Sequence, residues 1–293
     1  YIEARKMMNQ EGYENEDISF PSRVLQKLIF NQSRSKIRSE EIYLNNIRTL
    51  HFSSDNFNNE KCILYFHGGG YVAGSPETHK NMLSKLAKLS SIQIFAIDYS
   101  LSPENTFPQA IVDAIISYDA LLEQGFSNHN IFFGGDSAGG NLALVSTLKL
   151  QEQNKKLPSK LFLFSPWTDL TGEGRSIKEN SKSDPYLSYD NWLNTSLSMQ
   201  KTVKEWYAPN QDYKNPFISP VFARYINFPK TLIQVSDIEI LFSDSQDVAY
   251  AIKEGGNEVI LSIYKNLPHV WQIFGFLPEA KNAIREVSEF LLS

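Results

Sequence analysis

A serine hydroxyl becomes a nucleophile only when a base takes its proton, and one serine in this chain sits where that chemistry could be arranged. Ser137 lies in "GGDSAGGN", directly after the apolar run "NIFF". Gly135, Asp136, Ser137, Ala138 and Gly139 satisfy the pattern G-x-S-x-G, between a strand-like and a helix-like stretch. A sharp strand-to-helix turn forces the serine backbone into a strained conformation, and only small neighbours leave room for it. The helix behind the turn aims unpaired N–H groups at developing negative charge. A glycine-rich turn carrying an incidental serine would look the same, so a second feature has to decide.

That feature is "HGGG", His67 to Gly70, which also follows a strand-like run, "ILYF". Glycines there let backbone N–H groups approach a ligand oxygen without a Cβ in the way. Joined by the N–H of the residue after the serine, Ala138, they would form an oxyanion hole from Gly69, Gly70 and Ala138, with Gly68 as a further candidate. A phosphate-binding loop is the competing reading, but no G-K-[ST] follows.

Five histidines could supply the base: His51, His67, His79, His129 and His269. His269, in "NLPHVWQIF", comes after the last strand-like run and before the final helix. That is where the order Ser, acid, His places the base. His67 reads as structural, beside the glycine loop, and His51, His79 and His129 read as solvated. The histidines are dispersed and Cys62 is the sole cysteine, so neither a metal site nor a disulfide is expected.

The elements that must hold these residues are legible as an alternation. Short apolar runs ("KCILYF", "IQIFAIDY", "NIFFGG", "KLFLFSPW", "TLIQVSD", "EVILSIYKN") take turns with amphipathic, helix-like stretches. The pattern predicts a mostly parallel sheet with helices on both faces. Ahead of it, "SEEIYL" and "IRTLHFSS", separated by Asn45-Asn46, read as an antiparallel pair on the same sheet. Two segments break the alternation. Residues 1–38 read as helical, and residues 170–225 hold no strand pattern but carry Tyr186, Tyr189, Trp192, Trp206, Tyr207 and Phe217. Both are expected to cover a pocket as a cap, leaving 39–169 and 226–293 as the core.

The net charge is -5 and no basic run follows a phosphate backbone, which argues against nucleic acid as a partner. No apolar run approaches membrane-spanning length, and no signal-peptide pattern opens the chain, which begins on Tyr1. The lone cysteine fits a reducing compartment, so a cytoplasmic setting is expected.

Taken together, "HGGGYVAGS", "DYSLSPENTFPQAIVDA", "GGDSAGGNLAL", "SPWTDL", "NPFISP" and "LPHVW" resemble the hormone-sensitive lipase family of α/β-hydrolases, in its bacterial carboxylesterase branch. The likeness runs from Leu64 to the C-terminus. It implies an α/β-hydrolase fold with an eight-stranded sheet and a helical cap built from the N-terminal helices and an insertion after the sixth strand. It also implies hydrolysis of short- to medium-chain carboxylic esters without a cofactor, and allows a homodimer. One position departs. Where the family commonly reads like "VGSDEILLSDS", with the triad Asp fourth, this chain reads "VSDIEILFSDS" from Val235, which puts Ile238 at the acid position. Isoleucine cannot accept a hydrogen bond from an imidazole. The flanking carboxylates are the candidates: Asp237 is the first choice, with Glu239, longer and able to reach back, as the alternative. Asp244 resembles a second, structural acid and sits at a helix start, where capping is expected.

If neither carboxylate serves, the chain would be a binding protein with disabled catalysis. A deacetylase or amidase would share the esterase chemistry.

Overall fold

The computed structural model describes residues 37–54, 56–187, 199 and 201–293. The expected helices over residues 1–38 fall outside this range up to residue 36, as do Tyr189 and Trp192. Eight strands form one sheet: β1 (Arg38–Leu44), β2 (Ile47–Ser53), β3 (Asn58–Phe66), β4 (Ile92–Ile97), β5 (Ile131–Asp136), β6 (Lys160–Phe164), β7 (Lys230–Ser236) and β8 (Val259–Tyr264). Their order is β1-β2-β4-β3-β5-β6-β7-β8. The Asn45-Asn46 turn joins β1 to β2 as the sequence predicts, with Asn45 at φ 51°, and β2 runs antiparallel to β4. All other pairings are parallel.

Each central strand alternates between two cores because successive side chains leave a strand on opposite faces. Cys62, Leu64 and Phe66 enter one core and Ile63 and Tyr65 the other. In β6, Leu161 and Leu163 oppose Phe162 and Phe164 in the same way. Helices α1 (Lys80–Ser90) and α6 (Pro278–Leu292) cover the second face through Leu83, Leu86, Ile284 and Val287. The first face is covered by α2 (Gln109–Glu123), α3 (Ala138–Glu152) and α5 (Phe242–Glu254). Burial on both sides is what allows these strands to be almost wholly apolar.

Between β6 and β7, the described residues hold a short helix, α4 (Arg175–Glu179), a wide helical turn over Thr202–Tyr207 and a tight one at Pro220–Phe222, with no strand. No helix among the described residues is long and apolar enough to cross a membrane.

From β3 the chain crosses to β4 on one side, whereas β5 leads to β6 on the other. The carboxyl ends of β3 and β5 therefore border the switch point at which open α/β sheets bind ligands. "HGGG" follows β3 and Ser137 follows β5.

Candidate active site

Ser137 joins β5 to α3 at φ 54° and ψ -120°, a backbone region that side chains rarely occupy. The turn is closed by Ser137 N–H donating to Phe164 O (2.8 Å) and Trp167 N–H donating to Ser137 O (3.0 Å), both from the chain leaving β6. The small neighbours are required by contact. A Cβ on Gly135 would stand 2.3 Å from Gly139 O, and one on Gly139 only 2.0 Å from Phe66 O. The second contact also explains why helix α3 can lie directly against the end of β3.

Asp136 ties the two glycine bends together. Its Oδ1 accepts from Gly68 N–H (3.0 Å) and Tyr65 Oη (2.8 Å), and His79 Nε2 lies 3.0 Å from Oδ1 and 3.1 Å from Oδ2. Burial opposes ionisation of Asp136, but the charge and hydrogen bond of His79 hold its carboxyl below the usual range. Burial likewise opposes protonation of His79, and Asp136 more than offsets it, so that the imidazole is pushed up. Its polar sequence neighbours suggest a solvated ring, but His79 is buried against Asp136, directly before Ser137. His67 matches its expected structural position. It is buried, stacked on Tyr99 with ring centroids 4.3 Å apart, and lowered to about 4 by burial and by His79. Its Nδ1 lies 2.8 Å from Gly68 O, so a neutral ring donates there.

Because Gly68 spends its N–H on Asp136, it has none to offer a ligand. Gly69 and Gly70 are half-buried at φ 124° and 64°. Among the described residues, no turn or loop hydrogen bond engages the N–H of Gly69, Gly70 or Ala138. Tyr71 follows at φ 64°, and its hydroxyl donates to Asn141 Oδ1 (2.7 Å) on α3. Asn141 in turn donates to Trp167 O and Ile218 O, at 2.8 and 2.9 Å. The Tyr71 ring stacks on Tyr207, from the segment before β7, at 3.9 Å and 7°.

The carboxylate paired with His269 is Glu239 and not Asp237, the first choice on sequence. His269 is buried, and its Nδ1 lies 2.6 Å from Glu239 Oε2. Asp237 faces another way, its Oδ1 accepting from Asn266 N–H at 2.9 Å. Ile238 is half-buried. The reason is that β7 ends at Ser236 and the chain turns, so the alternation of the strand no longer sets direction. The longer Glu239 folds back within this turn. Its Oε1 accepts from Ser236 N–H and from Ser165 Oγ, both at 2.8 Å. Three donors compensate a carboxylate with no solvent exposure. Burial opposes charging of His269, but the hydrogen bond and charge of Glu239 outweigh it and push the imidazole above its ordinary value. A carboxylate at Nδ1 fixes the proton there and leaves Nε2 as the basic nitrogen.

Ser137, Ser165, Glu239 and His269 all lie beyond the carboxyl ends of neighbouring strands β5 to β8. Ser165 and Val270 stand at φ 44° and 51°, so four non-glycine residues around the site, with Tyr71 and Ser137, hold the left-handed region. Such strain collects at functional sites at a cost of about 1–3 kcal/mol each. Leu267 N–H donates to Ser236 Oγ (2.9 Å), which fixes the histidine loop to the acid turn.

Sequence reasoning missed Ser165 and His79. A hydroxyl directly ending the buried strand "KLFLF" was the signal for the first. The second depends on a partner 57 residues away and left no local signal. Asp244 does not cap its own helix. Its Oδ2 accepts from the N–H groups of Thr168 and Asp169, both at 2.8 Å, so it orders the "SPWTDL" loop.

This sheet, with a strained serine after β5 and a histidine paired to a carboxylate after β7 and β8, is an α/β-hydrolase architecture. The chain belongs to the family described as alpha/beta hydrolase fold, whose model matches residues 63–273. It is 36% identical over 233 residues to an esterase of Acinetobacter venetianus, covering 79% of this chain and 74% of that one. It is 32% identical to an acetyl-hydrolase of Streptomyces hygroscopicus, covering 79% and 75%. Among solved structures, an esterase from the bacterial hormone-sensitive lipase family superposes with TM-score 0.84 at 30% identity, covering 98% of this chain and 94% of that one. A mutant of the esterase E40 superposes with TM-score 0.85 at 31% identity, covering 92% and 89%. The resemblance read from the sequence motifs thus extends over the whole core.

Proposed function

We propose that this α/β-hydrolase is a serine carboxylesterase in which Ser137, His269 and Glu239 form the triad. His269 Nε2 takes the proton of Ser137 as Oγ attacks the ester carbonyl. The tetrahedral oxyanion is held by the N–H groups of Gly69, Gly70 and Ala138. His269 then protonates the leaving alcohol, and water repeats the cycle on the acyl-enzyme. The observation that carries this reading is the buried contact of Glu239 with His269 Nδ1 at 2.6 Å. It supplies the carboxylate that Ile238 could not, and so removes the motive for a non-catalytic binding protein.

The substrates are small esters of short- to medium-chain acids. The esterase and acetyl-hydrolase names of the relatives support this range. Residues 170–225, with the N-terminal 1–38, act as the cap. A homodimer and a cytoplasmic setting complete the proposal; β8 is the outer strand of the sheet and exposes Ile260 and Ile263.

The test is hydrolysis of p-nitrophenyl acetate and butyrate. Turnover by the native chain, lost in Ser137→Ala with the fold retained, is the expected result. No turnover of any short acyl ester by folded protein would overturn it.

A further inference from the structure

The turn that carries Glu239 makes few hydrogen bonds of its own. Glu239 N–H donates to Ser236 O at 3.3 Å and Phe242 N–H to Glu239 O at 3.1 Å. Asp237 N–H donates to Tyr264 O on β8 (3.0 Å), and the carbonyls from Asp237 to Ile240 are met by side chains from a single stretch between β6 and β7. Asn180 Nδ2 donates to both Asp237 O (2.9 Å) and Glu239 O (2.8 Å). Ser183 Oγ donates to Ile238 O (3.2 Å), and Ser176 Oγ to Ile240 O (2.6 Å). Asp184 Oδ2 accepts from Ile240 N–H (2.9 Å), and Ser176 Oγ accepts from Ser243 N–H (2.8 Å). Every carbonyl from Asp237 to Ile240 is thereby engaged from one side. Ser176, Asp184, Glu239 and Ile240 are all buried, so water does not substitute for these partners.

We propose that Asn180 and Asp184, supported by Ser176 and Ser183, are positioning residues that fix the backbone of Glu239 and so set its carboxylate against His269. Two features favour this over a purely structural role. A glutamate has three rotatable side-chain bonds, so its contact with an imidazole depends on a fixed Cα, and the clamp holds the backbone on both sides of that atom. Asp184 also reaches the imidazole environment through Tyr186. Its Oδ1 accepts from Tyr186 N–H (2.9 Å) and Leu187 N–H (2.8 Å), and the Tyr186 ring lies 6.2 Å from that of His269. Its charge adds to that of Glu239 in favouring the protonated imidazole. The stretch that the sequence assigns to the cap would then be part of the catalytic framework as well as a cover. The inference rests on Glu239 being the triad acid.

The experiment compares Asn180→Ala and Asp184→Asn with Glu239→Gln in the full chain, using p-nitrophenyl acetate. Folding is checked by circular dichroism and by stoichiometric labelling of Ser137 with a phosphonate ester. Each clamp variant is expected to lose kcat by about 10²-fold, the scale of a misplaced catalytic group, with KM little changed. The downfield proton resonance of His269 Nδ1–H should broaden or move upfield. A folded clamp variant with native kcat and an unchanged resonance would overturn the proposal while leaving the triad intact, provided Glu239→Gln loses activity. Native turnover in Glu239→Gln would instead overturn the acid assignment and the clamp with it. Should neither clamp variant fold, exposed Ser183→Ala gives the same readout. A smaller fall in kcat at constant KM supports the clamp, and no change in kcat or resonance removes it.

Discussion

Glu239 Oε2 stands 2.6 Å from His269 Nδ1, whereas Asp237, two residues earlier, is engaged by Asn266 N–H. Two carboxylates of one turn are therefore separated by direction. One is buried, where desolvation pushes its pKa up against the opposing pull of His269, Ser236 and Ser165; the other is half-buried and accepts from the loop that leads to the histidine.

Replacing the two should separate them kinetically. Glu239→Gln removes the charge that fixes the tautomer and stabilises the imidazolium, a loss worth up to about 10⁴-fold in kcat in a related triad. Asp237→Asn keeps an oxygen for Asn266 N–H and is expected to leave kcat nearly native. Steady-state hydrolysis of p-nitrophenyl butyrate by both variants decides the matter, and equal losses would speak against Glu239 as the acid.

Activity and stability should respond to alkaline pH in opposite senses. His269 must be neutral to accept the serine proton, and Glu239 holds its pKa above the ordinary value of about 6.5. The rate kcat/KM should rise with pH, with its midpoint above 6.5. Stability runs the other way. His269 and His79 both bind protons more tightly folded than unfolded. Their contribution is complete below the unfolded value and disappears as pH climbs through the folded values. Asp136, held low, contributes above the unfolded carboxyl value and loses this as pH falls through its folded value. Melting temperature and kcat/KM measured across one buffer series should therefore diverge above pH 6.5; parallel curves would contradict the assignment.

The close approach of α3 to β3 gives a third prediction. In Gly139→Ala the added Cβ would meet Phe66 O at 2.0 Å and His67 O at 2.6 Å, so the backbone must separate. Overpacking of this kind costs about 1–3 kcal/mol, or roughly 2–4 °C of melting temperature per kcal/mol in a chain of this size. The move also shifts Ala138 N–H away from those of Gly69 and Gly70. Thermal unfolding should show the loss of stability, and kcat should fall more than KM rises. A variant with native melting and native kcat would mean that the two bends are not rigidly coupled.

Much of this was legible because it is local. The apolar runs marked the strands to within a few residues, and each glycine cluster announced its turn by following one. The place of His269 after the last strand was legible. The carboxylate it pairs with was not, because β7 stops at Ser236 and neither alternation nor a gapless comparison governs the turn that follows. Choosing between Asp237 and Glu239 required knowing that Ser165 and Ser236 would supply donors at one point. The burial of His79 was hidden for a similar reason, and for Asp244 the sequence left a structural acid and a helix cap side by side. Both sit among polar neighbours in sequence, yet each is buried against a partner brought from elsewhere in the fold: Asp136 for His79, the Thr168–Asp169 backbone for Asp244. Long-range satisfaction of buried polar groups leaves no periodic trace.

Ser165 offers a test confined to a single hydrogen bond. Its hydroxyl donates to Glu239 Oε1 at 2.8 Å while its own N–H donates to Gln234 O, so the backbone bond survives replacement by alanine. Ser165→Ala leaves Glu239 with two donors instead of three. A buried hydrogen bond to a charged group contributes about 1.5–3 kcal/mol, so stability should fall by that order. The carboxylate, less well satisfied, becomes easier to protonate. A proton gained by Glu239 weakens its hold on the imidazolium, so the acidic limb of the kcat/KM profile should move to lower pH as kcat declines. A profile in Ser165→Ala that superposes on the native one, in limb and in height, would mean that this hydroxyl has no part in holding the acid.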